Sequence, residues 1–314
     1  MVLRTFGPLG FRDSARSDRM LPVANRTFIV TIVLLVASIL FFSVVPPSQA
    51  QQKTKPQAQE TSQESQSESN AKKKSKKKVK KPSRRRSPYL KLINGAFAHA
   101  EEPLAENGLP LWIYGDARMM RGRKEYPLMI VLHGRRDKVK PGTVFKPQGI
   151  AIPWARSINQ QKDPCFVVQP YYPPKSGWEK IPEKLDATVA HLIENLPVNP
   201  DRIYLMGFSN GAQGTFQALA RNPDQYAAAI TVAGPVGIKS VLGKIKTPIR
   251  AWVGENDNSL NKNVRTIALA KALKEDGVDI ELVVVENAGH ACYRVPLHDP
   301  KVHQWLFSQQ RQER

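Results

Sequence analysis

The stretch Tyr204-Leu205-Met206-Gly207-Phe208-Ser209-Asn210-Gly211-Ala212-Gln213-Gly214 (204–214) sets one serine between two glycines at the end of an apolar run. Arg202 to Met206, introduced by the turn Asn199-Pro200-Asp201, reads as a short strand buried on both faces. Residues 210–220 read as a helix that stops before Asn222-Pro223. A strand turning sharply into a helix is the setting in which G-x-S-x-G works chemically. Gly207 and Gly211 keep Cβ atoms out of the turn, so a strained serine backbone is tolerated and Oγ projects outward. The helix start adds amide N–H groups and a positive dipole end beside the hydroxyl. The alternative is a glycine-rich strand-to-helix joint without chemistry; the nucleophile reading of Ser209 is the one carried forward.

Working outward, the same strand–helix alternation continues on both sides. PLMIVLHG (127–134) and CFVVQPYYP (165–173) are continuous apolar runs ended by Gly or Pro, as central strands are. From Glu183 to Leu196 one helical face carries Leu185, Val189, Leu192, Ile193 and Leu196. YAAAITVAG (226–234), IRAWVG (249–254) and IELVVVEN (280–287) read as further strands. Helices are expected over 261–277, stopped by Gly277, and over 299–312, with Pro300 in the first turn. The pattern predicts an α/β fold: a mostly parallel central sheet with helices on both faces.

In such sheets the chemistry gathers beyond the carboxyl ends of the strands. Asp257 follows the strand 249–254, His290 follows 280–287, and His133-Gly134 ends 127–134. Ser209, Asp257 and His290 therefore form a candidate nucleophile, acid and base, with Glu255 as the rival acid. Backbone N–H groups of Asn210 and Arg135 are placed to hold an oxyanion. Arg135 and Arg136 border the expected acyl pocket, where a guanidinium would favour an acidic ester; the alternative is two solvated arginines answered by Asp137. Trp178 is read as a cleft wall, with a plain core role as the alternative. His133 is expected to support the oxyanion loop. His191, His298 and His303 are expected to pack or face solvent, and His99 lies in the segment leading into the domain. No spacing suggests a metal site, and no G-x-G-x-x-G or Walker pattern suggests a bound cofactor; none is expected. Cys165, at the amino end of its strand, and Cys292, at the carboxyl end of the sheet, are too far apart for a disulfide.

The residues YPLMIVLHG, VNPDRIYLMGFSNGAQGTFQALARNPDQYAAAI, VGEND, NAGHACY and VHQWLFSQQR carry a resemblance to the α/β-hydrolase superfamily. The chain is most similar there to bacterial exported esterases of feruloyl-esterase, polyhydroxybutyrate-depolymerase and dienelactone-hydrolase type. The resemblance implies an α/β-hydrolase fold, the triad order Ser209, Asp257, His290, and a carboxylesterase working through an acyl-enzyme, on acylated polysaccharide or an acidic ester. The alternatives are a serine peptidase of prolyl-oligopeptidase type and a non-catalytic envelope-binding module.

The first part of the 314-residue chain has a different composition. Residues 27–45 are apolar apart from small hydroxyl residues and long enough to cross a bilayer. Arg12, Arg16, Arg19 and Arg26 precede them, which places residues 1–26 in the cytoplasm and everything downstream outside. The segment is an anchor, or a signal sequence cleaved near Ala50. Residues 51–87 are polar and basic, a linker whose run Lys72 to Arg86 suits anionic membrane or envelope polymer, or serves as a solvated spacer. Residues 1–87 hold 18 of the 47 Lys and Arg but only 5 of the 27 Asp and Glu, so much of the basicity belongs to this tail. A nucleic-acid reading of this run is the alternative; outside the cytoplasm membrane or envelope polymer is favoured over it, and no nucleic-acid partner is expected. The catalytic domain is expected over 88–314.

Overall fold

The parallel strands are apolar on both faces, and that dictates the architecture: a sheet of such strands must be covered on both sides. The computed structural model describes residues 87–135, 146–147, 149–173, 176–259 and 262–311. The apolar stretch 27–45, the basic run 72–86 and Arg136 lie outside these residues. Eight strands form one sheet: β1 (Ala98–Ala100), β2 (Leu111–Tyr114), β3 (Tyr126–Leu132), β4 (Phe166–Pro170), β5 (Val198–Phe208), β6 (Ala228–Val232), β7 (Ile249–Gly254) and β8 (Ile280–Val285). Their order is β1-β2-β4-β3-β5-β6-β7-β8. The β1–β2 and β2–β4 pairs are antiparallel, and every other neighbouring pair is parallel.

Alternation along each central strand builds two cores. Leu128, Ile130 and Leu132 of β3, with Ile203 and Leu205 of β5, face one side. There they meet α2 (Pro182–Asn195), α3 (Asn210–Arg221) and α4 (Lys262–Glu275) through Leu185, Leu192, Phe216, Leu219, Leu269 and Leu273. Met129, Val131, Tyr204 and Met206 face the other side, against Trp154 and against Leu306 and Phe307 of α6 (Pro300–Ser308). Each fully buried Leu, Ile or Val contributes roughly 1.5–3 kcal/mol by leaving water. The short helices α1 (Ser157–Lys162) and α5 (Arg294–His298) complete the α-helices among the described residues.

The long periodic elements match their sequence readings to within a few residues. Strand β5 is longer than expected, because residues 198–201 continue it as far as the pairing of Val198 with Tyr126. Helix α6 ends at Ser308 rather than near residue 312, after a start capped by Asp299, whose side chain accepts from the Lys301 N–H at 2.8 Å. The antiparallel edge of β1 and β2 was not anticipated: three and four residues give no periodicity to read. Cys165 and Cys292 are both buried and unbridged.

Candidate active site

The turn at Ser209 is held by contacts that only its glycines permit. Ser209 has φ 57° and ψ −117°, a conformation that costs a non-glycine residue roughly 1–3 kcal/mol. Its N–H donates to Val232 O at 2.8 Å, and its carbonyl accepts from Ala212 and Gln213 N–H at 3.0 and 3.2 Å. A Cβ on Gly207 would collide with the Gly211 backbone, and one on Gly211 with the carbonyls of Leu132 and His133. The elbow and the loop after β3 are thus in backbone contact, and side chains there would push them apart.

Three loops beyond strand ends converge on this hydroxyl. His290 Nε2 lies 2.9 Å from Ser209 Oγ, and His290 Nδ1 lies 2.8 Å from Asp257 Oδ2. Asp257 is almost fully buried, whereas the imidazole is half-exposed against Phe208, with ring centroids 5.0 Å apart. Glu255, the rival acid, is exposed and turned away, and its Oε2 accepts from Asn287 N–H at 2.9 Å. That contact braces the histidine loop and leaves Asp257 as the carboxylate on His290.

The oxyanion side is built on an aromatic support. His133 is buried, and the 2.6 Å contact of its Nδ1 with the Gly134 carbonyl puts the proton on Nδ1. Its ring packs against Tyr172 and Trp178 at centroid distances of 4.5 and 5.1 Å. Here the cleft reading of Trp178 is corrected. The indole is 2% exposed, and its Nε1 donates to His133 O at 2.9 Å beneath the loop. A ring with a polar edge is stable there because the buried carbonyl satisfies it. Tyr172, not singled out from the sequence, donates its hydroxyl to Asn210 Oδ1 at 2.8 Å. Asn210 is the first residue of α3, so its backbone N–H has no acceptor within the helix. Arg135 is exposed beside the elbow, on the chain that leaves Gly134 against Ser209. The positions named for oxyanion donors thus flank Ser209, while Arg136 falls outside the described residues.

The residue that sequence reasoning missed altogether is Lys262. Its Nζ donates to Ser209 Oγ at 3.1 Å and lies 3.3 Å from His290 Nε2. It is the first residue of α4 and only 9% exposed. Its neighbour Asn263 explains the placement. The Asn263 N–H donates to Asp257 O at 3.3 Å, and the Asn263 side chain to Glu255 O at 2.8 Å. These two bonds tie the start of α4 to the acid loop, so the residue before them points inward. One signal was available: the expected helix at 261 begins four residues after Asp257, close to any site that Asp257 serves. Burial pushes the Lys262 ammonium toward its neutral form, Asp257 opposes that, and Arg135 and Arg265 add to it. Two positive charges 3.3 Å apart repel by about 5 kcal/mol at an effective dielectric of 20. A charged Lys262 held where it is would therefore oppose protonation of His290.

Cys292, two residues past His290, is not a competing nucleophile: burial, helped by the Asp257 charge, pushes its thiol up to about 11. The remaining histidines bond elsewhere. His191 Nδ1 meets Tyr89 Oη at 2.8 Å, His99 Nε2 meets Tyr171 Oη at 2.8 Å, His298 Nδ1 meets Arg294 O at 2.7 Å, and His303 stacks on Trp154. Among the described residues no group of three His, Cys, Asp or Glu is placed to hold a metal. Two surface clefts of about 490 and 540 Å³ are lined from Tyr114 to Pro164 and from Asn159 to Ser308; neither is lined by Ser209, Asp257 or His290.

Residues 171–298 match the model of the dienelactone hydrolase family. The fold is similar to the crystal structure of a thermostable esterase, with TM-score 0.59 and 24% identity over 69% of this chain and 63% of that one. It is also similar to dipeptidyl peptidase 4 of Porphyromonas gingivalis, with TM-score 0.51 and 16% identity over 68% of this chain and 35% of that one. The chain thus spans less than two thirds of either protein. No curated protein matches it in sequence. Strand order, strand-to-helix elbow and the similarity to solved structures together identify a chain with the α/β-hydrolase fold, whose residues 171–298 match the dienelactone hydrolase family model.

Proposed function

We propose that this chain is a serine hydrolase that cleaves carboxylic esters through an acyl-enzyme. The observation that carries the reading is the hydrogen-bonded line from Ser209 Oγ through His290 to buried Asp257, at the carboxyl ends of three parallel strands. A serine hydroxyl attacks only when a base in hydrogen-bond reach takes its proton. In this reading Ser209 Oγ bonds to the ester carbon and His290 Nε2 takes the hydroxyl proton. The backbone N–H groups of Asn210 and Arg135 hold the resulting oxyanion, each such donor being worth about 3 kcal/mol of barrier. Collapse breaks the bond to the alcohol oxygen, which leaves with the proton from His290. Water then attacks the acyl-enzyme, gives a proton to His290, and releases the acid as Ser209 Oγ is reprotonated. Asp257 fixes the imidazole tautomer and stabilises the imidazolium throughout.

The same reading places the domain outside the cytoplasm, behind the apolar stretch 27–45, and assigns the basic run 72–86 to anionic membrane or envelope polymer. To test it, the full chain is treated with a fluorophosphonate and assayed on aryl and sugar esters beside an aminoacyl-proline amide. The parent should be labelled and hydrolyse esters, and Ser209→Ala should lose both, by about 10⁶-fold in turnover. Equal turnover in parent and variant overturns the assignment, and hydrolysis of the amide alone replaces esterase with peptidase.

A further inference from the structure

The contact between Lys262 and the triad has no part in the acyl-transfer cycle as written, and it opposes one step of it. The alcohol oxygen must lie within hydrogen-bond reach of His290 Nε2 while it is joined to the carbon that Ser209 Oγ has attacked. It therefore approaches the edge between Oγ and Nε2. Lys262 Nζ already borders that edge, 3.1 Å from one atom and 3.3 Å from the other. The group cannot remain there, charged, while the imidazole gains a proton. A lysine has a means of leaving: a flexible four-carbon stem carrying a compact, strongly hydrated charge.

The groups facing Lys262 show what draws it away. Asp257, from the loop after β7, is the neighbouring negative charge, and its Oδ2 is already bonded to His290. Arg135, from the loop after β3, and Arg265, one turn along α4, are positive and repel the ammonium. His290 itself stands in the loop after β8. The balance of this surround is cationic, so an incoming anion gains from several charges at once and takes the ammonium as its partner.

Resting on the serine-hydrolase reading, we propose that Lys262 determines specificity on the alcohol side: its ammonium occupies the leaving-group edge of the triad at rest and withdraws to bind an anionic group carried by the alcohol portion of the ester. Ionic groups on the alcohol, such as a carboxylate, phosphate or sulfate, supply the partner; neutral alcohols do not. This differs from an anion held by Arg135 on the acyl side.

The test compares 4-acetoxybenzoate with methyl 4-acetoxybenzoate, which share an acyl group and differ in the charge of the alcohol part, in the full-length parent, Lys262→Met and Lys262→Arg. Intrinsic reactivity differences cancel because the same two esters meet every protein. The ratio of kcat/KM, charged over neutral, should fall about tenfold or more in Lys262→Met and be retained in part by Lys262→Arg. Turnover of the neutral ester should rise in Lys262→Met, since the group that blocks the leaving-group edge is gone. An unchanged ratio, or an equal loss on both esters, overturns the proposal. So does a matching fall in the preference for phenyl hemisuccinate over phenyl acetate, which would show that the lysine does not distinguish the two sides. A second measurement does not need turnover: 4-hydroxybenzoate should bind the parent at least tenfold tighter than it binds Lys262→Met, with methyl 4-hydroxybenzoate indifferent. If the parent hydrolyses no ester, the hydrolase reading falls, and this binding difference still decides on Lys262.

Discussion

The start of α3 and the start of α4 both reach Ser209 Oγ, but they are held there by different physics. At α3 the backbone does the placing: a strained φ, carbonyls packed where a Cβ would be, and a strand on either side. At α4 a flexible side chain is brought in by two hydrogen bonds from its neighbour Asn263 to the acid loop. The first region is rigid and tolerates almost no substitution. The second is adaptable and can change position within a reaction cycle. A nucleophilic serine must be held fixed to attack, whereas a residue that blocks and then binds must be able to move. Substitutions should separate the two kinds of site.

The largest effect after loss of the serine itself should come from the acid. Asp257→Asn keeps shape but leaves the imidazole with the wrong tautomer, and triads of this kind lose about 10⁴-fold in kcat. Glu255→Gln only weakens the exposed brace on Asn287, whose N–H the amide oxygen can still accept, and should stay within about threefold. Steady-state ester kinetics on both variants check this; a reversed order would make Glu255 the acid. Gly211→Ala should act on folding instead. Its Cβ meets the Leu132 and His133 carbonyls, which belong to the sheet and the oxyanion loop and cannot yield cheaply. We expect a loss above about 3 kcal/mol, seen as a lower denaturation midpoint or as failure to accumulate soluble chain.

These contrasts also explain what was legible in the sequence. Long apolar runs such as 127–134 and 249–254 gave strands because a doubly covered strand has no other composition, and Ser209 was marked by its two glycines. Asp257 and His290 followed from their positions just beyond strand ends. What did not show was anything fixed by tertiary contact. Trp178 sits in no pattern, and whether an indole lines a cleft or supports a loop depends on where His133 O ends up. Tyr172 bonds to a residue 38 positions away. Lys262 carries no signal of its own in the sequence, since charge at a helix start is ordinarily solvated. The short strands β1 and β2 lack the length for periodicity to register.

Trp178→Phe sharpens the comparison on the rigid side. It removes the Nε1–H donated to His133 O and leaves a gap under the oxyanion loop, at a cost of roughly 1–3 kcal/mol. The denaturation temperature should fall by several degrees. The acylation rate should fall less than tenfold, because the loop loosens while Ser209, His290 and Asp257 keep their contacts. A variant with full stability but a much larger loss of rate would return Trp178 to the substrate cleft.

The smallest effect, and the one of opposite sign, is expected at Lys262. Burial lowers the ammonium's pKa in the folded chain from its ordinary 10.5, against the pull of Asp257 and with the push of Arg135 and Arg265. The unfolded chain therefore binds more protons than the folded chain between the lowered value and 10.5, and folding stability from this group rises with pH across that window. Below the window the full cost of burying the charge is present. Lys262→Met keeps the stem's apolar contacts and removes both the charge and its titration. At neutral pH the variant should be the more stable protein, by about 1 kcal/mol or 2–4 °C in denaturation temperature. That advantage should shrink as the pH is raised toward 10.5. Thermal denaturation of parent and variant at a series of pH values measures the difference directly. A lysine engaged in a net favourable ion pair would give the reverse, a less stable Met variant at neutral pH, and α4 would then be as fixed as α3.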